Sequence, residues 1–314
     1  MTDLLYPNTT PTVIADSLRW VEGPVWVERL GGLLVSDVKG NTMWLITPEA
    51  RADAGAAGAW TKRVFLRPSG HAGPEPPGIE HGSNGLALDA EGRVVLCSHG
   101  ERGVFRLDED RWLKLPLATH AEEDGQTKRL NSPNDVARHP TTGALYFTDP
   151  PYGLDDPSLR ELDRAGVYRI DPEDGSLTVA SQALYRPNGV GFTADGQTAL
   201  VACSDDHCPG WWAFPVLDDG TFGAGAPFHD AGPYLNPEID HAMPDGFAFD
   251  DAGRLWSAGP LGLHVFAADG TALGTMDFGR KVSNCAFGED GHSLFVTATD
   301  RVLRLRVTTP GPVG

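Results

Sequence analysis

The chain has 314 residues, a formal net charge of −18, 40% hydrophobic residues and 22% charged residues. It is long enough to bury a substantial core and too apolar to be a disordered chain. The acidic balance argues against nucleic acid and against an anionic membrane surface, which both demand clustered Lys and Arg.

The opening stretch, "MTDLLYPNTTPTVIADSLRW", has neither a basic n-region nor an apolar signal core. No window approaches the ~20 apolar residues of a membrane span, so a cytoplasmic protein is expected. Within this stretch "PTVIAD" at 11–16 reads as an isolated strand. Six similar units follow it.

The first runs "EGPVWVERLGGLLVSDVKGNTMWLI" from 22, with a further strand "TKRVFL" at 61–66. A loop, "GPEPPGIEHG" at 73–82, carries Glu75, Glu80 and His81 and is expected to be a solvated insertion, with one wall of a pocket as the alternative. The second unit is "NGLALDAEGRVVLCSHGERGVFRL" from 84, extended by "WLKLPL" at 112–117, with His99 expected at the surface or in a turn. The third is "NDVARHPTTGALYFTDP" from 134, completed by "GVYRI" at 166 and "SLTVAS" at 176–181. The fourth is "NGVGFTADGQTALVACSD" from 188, in and after which Cys203 and Cys208 are expected to be unliganded thiols. The fifth, "DGFAFDDAGRLWSAGPLGLHVF" from 245, gains "ALGTMDF" at 272–278. The sixth, "NCAFGEDGHSLFVTATDRVLRL" from 284, lacks a fourth strand.

Each unit reads as a polar leader, a short apolar strand, a turn, a second strand, a break and a third strand. No segment carries a long 3.6-residue apolar period, so helices should be few. Units of ~50 residues with four strands are propeller-sized. The expected fold is all-β: one six-bladed β-propeller domain over 1–314, with residues 11–16 completing the last blade and hiding its open edge.

The leaders are Glu22, Asn84, Asn134, Asn188, Asp245 and Asn284, at intervals of 62, 50, 54, 57 and 39 residues. Asn-Gly and Asp-Gly are also good turn formers, but turn pairs already occupy the hairpin at the other end of these strands. In a propeller the first strand of each blade lines the channel, so the leaders should form a ring on the axis. Two carboxylates and four amides, without His or Cys, suit a hard cation such as Ca²⁺ or Mg²⁺. A partly hydrated ion there can polarise a carbonyl or activate water. It can also merely staple the axis, and a water-plugged channel is a further alternative.

"EGPVW" at 22–26, "LNSPNDV" at 130–136, "YFTDPPYG" at 146–153, "RPNGVGF" at 186–192 and "PDGFAFD" at 244–250 resemble the SMP-30/gluconolactonase family. "HGSNGLALD" at 81–89 is similar to its bacterial gluconolactonase branch. The resemblance covers most of the chain in order. It implies a divalent metal on a propeller axis and hydrolysis of sugar lactones or related esters; some relatives hydrolyse organophosphates. By resemblance the metal ligands fall on Glu22, Asn188 and Asp245, with Asn134 near the metal through water or substrate. Animal members carry a substrate-contacting Arg two residues before that Asn. Ser132 stands there instead, so that contact is absent or replaced. Asn84, Tyr152 and His81 are further pocket residues by resemblance.

The expected reaction is hydrolysis of a sugar lactone by metal-activated water, with Asp245 as general base and Glu22 as a permanent ligand. Coordination holds a carboxylate's pKa low, so hydroxide on the cation without a separate base is the alternative. Asn134 and Asn84 would orient substrate hydroxyls. Ca²⁺ is the expected cofactor, with Zn²⁺, Mn²⁺ or Mg²⁺ as substitutes. The rival functions are a phosphotriester hydrolase at the same site and a non-catalytic binding propeller with a structural metal. No GxSxG, HExxH or P-loop is present to support other chemistry. The expected partner is a small-molecule substrate, not nucleic acid or membrane, acting on a monomer or weak homo-oligomer.

Overall fold

The structure, a computed structural model, describes residues 2–7, 9–49, 59–74, 77–236 and 242–314. Short alternating strands joined by Gly- and Asp-rich turns produce six four-stranded antiparallel sheets. Among the described residues, helix is confined to three-residue 3-10 turns such as Glu28–Leu30 and Pro157–Leu159. None is long and apolar enough to cross a membrane.

The innermost strands of the six blades are Val21–Val27, Ser83–Leu88, Val136–Arg138, Pro187–Phe192, Phe247–Phe249 and Val282–Gly288. Each contacts the next around the ring, and the sixth contacts the first, giving a six-bladed β-propeller. Val21–Val27 is buried at every position because other blades cover it, whereas the outermost strand of the same blade, Trp60–Leu66, is largely open. The fourth strands observed after the first, second, third and fifth units start or end within two residues of the expected ones.

Two strand regions were not foreseen. The outer strand of the fourth blade, Ala226–Asp230, is mostly exposed and contains Pro227, so it lacks an apolar alternation. A hairpin, His120–Glu123 with Gln126–Arg129, is built from polar residues. Its signal was the turn: Asp124 and Gly125 both have positive φ, as a two-residue type I′ turn requires.

Thr12–Ala15 pairs antiparallel with Arg301–Arg306 and supplies the fourth strand of the sixth blade. Ile14 and Ala15 turn inward and pack with Leu18, Phe295 and Val302. Cys203 ends a strand and Cys208 follows it; both are free thiols, their Sγ atoms 3.3 Å apart.

The leaders owe their direction to irregular strand starts. The pairing register shifts between Glu22 and Val25, between Ser83 and Leu86, and between Pro187 and Val190. Such bulges re-aim side chains at the end of a strand. After four of the six leaders the next residue is a glycine (Gly23, Gly85, Gly189 and Gly246), because the neighbouring blade lies against it. A Cβ on Gly85 would sit 2.6 Å from Asn134 O, and one on Gly246 would sit 2.0 Å from Asn284 Cγ. These glycines answer to neighbouring blades, not to hairpins.

In the third blade two of the family-like motifs hold each other. Asn131 N donates to Asp149 Oδ2 (2.8 Å) and Asn131 Nδ2 donates to Asp149 O (3.2 Å). Ser132 Oγ donates to Pro150 O (2.6 Å) and accepts from Gly153 N (2.9 Å). Asp149 is fully buried, and burial pushes its carboxyl up to about 7.

Two outcomes are expected. Ile14→Ala should lower unfolding free energy by about 2–4 kcal/mol in urea melts, through a cavity under the closing strand. The folded state holds a proton on Asp149 between the ordinary carboxylate value, 3.8, and about 7, which the unfolded chain releases. This contribution to stability is complete below pH ~4 and lost as pH rises to ~7. Asp149→Asn keeps an acceptor for Asn131 N, and its urea midpoint should vary less over that window than the wild type's.

Candidate active site

At the end of the axis where the leaders meet lies a cavity of about 340 Å³. Five leaders line it: Glu22, Asn84, Asn134, Asn188 and Asp245. The sixth, Asn284, is buried beside them without lining the cavity; its Oδ1 accepts from Cys285 N (2.8 Å), and its side chain also bonds Glu22. The remaining walls come from loops and strand ends, including Trp20, Glu80, His99, Tyr152, Arg186, Ser204 and Met243.

The amides form a one-way chain. Asn84 Nδ2 donates to Asn134 Oδ1 (2.8 Å), Asn134 Nδ2 donates to Asn188 Oδ1 (2.5 Å), and Asn188 Nδ2 donates to Ser204 Oγ (3.0 Å). Ser204 Oγ then donates to Pro244 O (2.6 Å), the carbonyl preceding Asp245. At the other end Asn84 Nδ2 lies 3.2 Å from His99 Nε2, and His99 Nδ1 lies 2.8 Å from Glu80 Oε2. The His99 partnership holds the Glu80 carboxyl below its usual range against the opposing effect of burial. Buried polar groups must find partners, and here they find one another.

The carboxylates fare differently. Burial raises Glu22 well above the ordinary range, reinforced by the charges of Asp245 and Asp135. Burial likewise raises Asp245, with Asp135 adding to it. Asp135, next to Asn134 and bonded to Val190 N (3.2 Å), is pushed by burial to about 7. Gly23 N and Gly246 N donate to Glu22 and Asp245 but do not offset this. A bound cation would relieve the same repulsion. Among the described residues no three His, Cys, Asp or Glu side chains converge to hold a metal by themselves. Any such site depends on the amide oxygens, a donor set that suits a hard divalent ion.

The expected pocket residues divide. Asn84, Asn134, Asn188, Glu22, Asp245 and Tyr152 share the cavity. Tyr152 donates its hydroxyl to Arg186 O (3.0 Å), and the Arg186 guanidinium lies over its ring at 5.6 Å. Ser132 does not line the cavity: its side chain is buried in the loop staple described above. His81 is half-buried and also outside the lining, with its carbonyl accepting from His71 N (2.8 Å).

Two readings of the sequence are corrected. His99 does stand in a turn, but it is not a surface histidine: it is 1% exposed, facing the asparagines. The 73–82 loop is not merely solvated, since Glu80 reaches the cavity and anchors His99. Glu75 lies outside the described residues. The only sequence signal for the pair was proximity to the leader at Asn84. Ser204, also unforeseen, directly follows the second strand of its blade.

Several known proteins are similar over nearly the whole chain. The sequence profile of the SMP-30/gluconolactonase/LRE-like region matches residues 20–300. A gluconolactonase from Zymomonas mobilis subsp. mobilis is 35% identical over 98% of this chain and 85% of its own. The pentonolactonase of Haloferax volcanii is 35% identical over 92% of this chain and 84% of its own. A solved gluconolactonase from Xanthomonas campestris superposes with a TM-score of 0.78 at 32% identity, covering 98% of this chain and 91% of that one. This chain belongs to the SMP-30/gluconolactonase/LRE-like family.

Proposed function

We propose that this chain hydrolyses a sugar lactone in the axial cavity with the aid of a divalent cation. The observation that carries the reading is the convergence of Glu22, Asn188 and Asp245, with Asn134 beside them, in one buried cavity. The names of its relatives, a gluconolactonase and a pentonolactonase, support the substrate class.

Glu22, Asn188 and Asp245 would hold the ion, with Ca²⁺ the best match to an all-oxygen set. The chemistry such an ion supplies when bound is Lewis acidity toward a carbonyl oxygen and toward water.

The chain's own groups then have separate tasks. Asp245 Oδ1 is held by Gly246 N (3.0 Å), which orients the carboxylate to take the proton of the attacking water. Water adds to the lactone carbonyl, the ring C–O bond breaks, and the ring oxygen leaves as a hydroxyl. Asn84 Nδ2 donates to Asn134 Oδ1 and lies against His99 Nε2, so its Oδ1 is presented as an acceptor for a sugar hydroxyl. Tyr152 and Arg186 form an amphipathic wall for the ring of the substrate. A cavity of about 340 Å³ is within the range of small-molecule sites.

Acid release from glucono- and pentonolactones, followed with a pH indicator, should disappear with a chelator and return with Ca²⁺. Asp245→Asn should reduce turnover by about 10²–10⁴-fold with the circular dichroism unchanged; activity surviving at saturating Ca²⁺ would remove Asp245 as the base. Ca²⁺ at about a hundred times its Kd should stabilise the wild type by about 2.7 kcal/mol. Glu22→Gln should lose most of that gain while its metal-free form melts no lower than the wild type.

A further inference from the structure

The amide chain has a direction, and one hydroxyl sets it at the end nearest the carboxylates. An asparagine side chain offers a cation one oxygen, while its nitrogen repels it, so a site built on Asn188 works in only one of the two amide orientations. Nothing within the amide itself chooses between them. The neighbours do.

Pro244 O can only accept, so Ser204 must give it the single hydroxyl proton (2.6 Å). Tyr152, which also lies beside Ser204, donates its own proton to Arg186 O (3.0 Å), leaving Ser204's free for Pro244. Ser204 Oγ is thereby left as an acceptor and takes a hydrogen from Asn188 Nδ2 (3.0 Å). That turns Asn188 Oδ1 away from Ser204 and toward Asn134 Nδ2 (2.5 Å), inside the ring of leaders. Asp245 also lies close enough to be influenced by the Asn188 side chain. It is an expected ligand, however, so it cannot serve as a partner independent of the ion. Ser204 can, because its other partner is main chain and it is itself 7% exposed.

We propose that Ser204 is a positioning residue of the cation site, which fixes the Asn188 amide with its oxygen toward the axis. This rests on the reading of Asn188 as a ligand. Ser204 touches neither substrate nor cation in this role; it acts through Asn188. By tying that side chain to the carbonyl of Pro244, it also joins the fourth blade to the residue just before Asp245. Hydrogen-bonded partners behind ligands typically change metal affinity by about 10–100-fold.

The test is a calorimetric titration of chelator-treated protein with Ca²⁺ alone, on the wild type, Ser204→Ala, Asn188→Asp and the double variant. Ser204→Ala should weaken Ca²⁺ binding by about tenfold or more, with the metal-free protein still folded and melting only a few degrees lower. In the Asn188→Asp background both side-chain atoms are equivalent oxygens, so removing Ser204 should change affinity by less than about twofold. Equal affinity of Ser204→Ala and wild type overturns the proposal while leaving the cation site standing. An equal loss in both backgrounds also overturns it, because an effect that ignores amide direction is not positioning. A folded wild type that binds no Ca²⁺ removes the cation site and the proposal together.

Discussion

Crowding at the axis governs this molecule. Six strand ends meet so closely that the main chain of one blade occupies the space where a side chain of the next would begin, as at Gly85 and Gly189. The glycine after four of the leaders follows from that contact. So does the burial of most leaders, whose polar atoms are largely withdrawn from water and obliged to satisfy one another. Amides can do this, because each carries both a donor and an acceptor, and Asn84, Asn134 and Asn188 are linked in series. Carboxylates cannot. Burial raises the affinity of Glu22, Asp135 and Asp245 for protons, and the charge of Asp135 raises that of Glu22 and Asp245 further.

That imbalance is the chemical character of the site. A buried cluster with a satisfied neutral part and a frustrated anionic part selects for positive charge at its centre. The groups at the mouth are of another kind. Tyr152 and Arg186 come from loops ahead of strands, and Glu80 comes from the segment between blades. Such loops vary without disturbing the ring. On the proposed function, binding of an ion and choice of substrate would therefore draw on different parts of the chain, one built from strand starts and the other from connections.

The repeat of polar leaders was legible because each stands before an apolar run, and the period led to six blades and to the N-terminal strand that closes the ring. The asparagine and acid positions of the cavity were legible for the same reason. What sequence could not give was any contact made without periodicity. His99 follows a strand in "CSHGERG", a context that fits a turn as well as a pocket, and only the fold sets it against Asn84 and Glu80. Ser132 shows the converse. It stands where animal relatives carry a substrate-contacting Arg, so that a replacement contact was open, but its hydroxyl is used to hold the loop at Pro150 and Gly153. Ala226–Asp230 and the 120–129 hairpin escaped notice because exposed strands need no apolar alternation.

The pairing of Thr12–Ala15 with Arg301–Arg306 joins the first and last of the described strands. During synthesis, then, the early strand emerges with its apolar Ile14 and no partner, while five blades are completed behind it. The sixth blade's exposed edge is born just as late, since Arg301–Arg306 follows almost everything else. Contacts of such long range slow folding, and strands left waiting are open to wrong partners. The leaders inherit this timing: Glu22 of the first blade and Asn284 of the last can meet only when the circle closes. The cavity is thus among the last features to form, and a chain able to fill it has by then passed its own test of completeness.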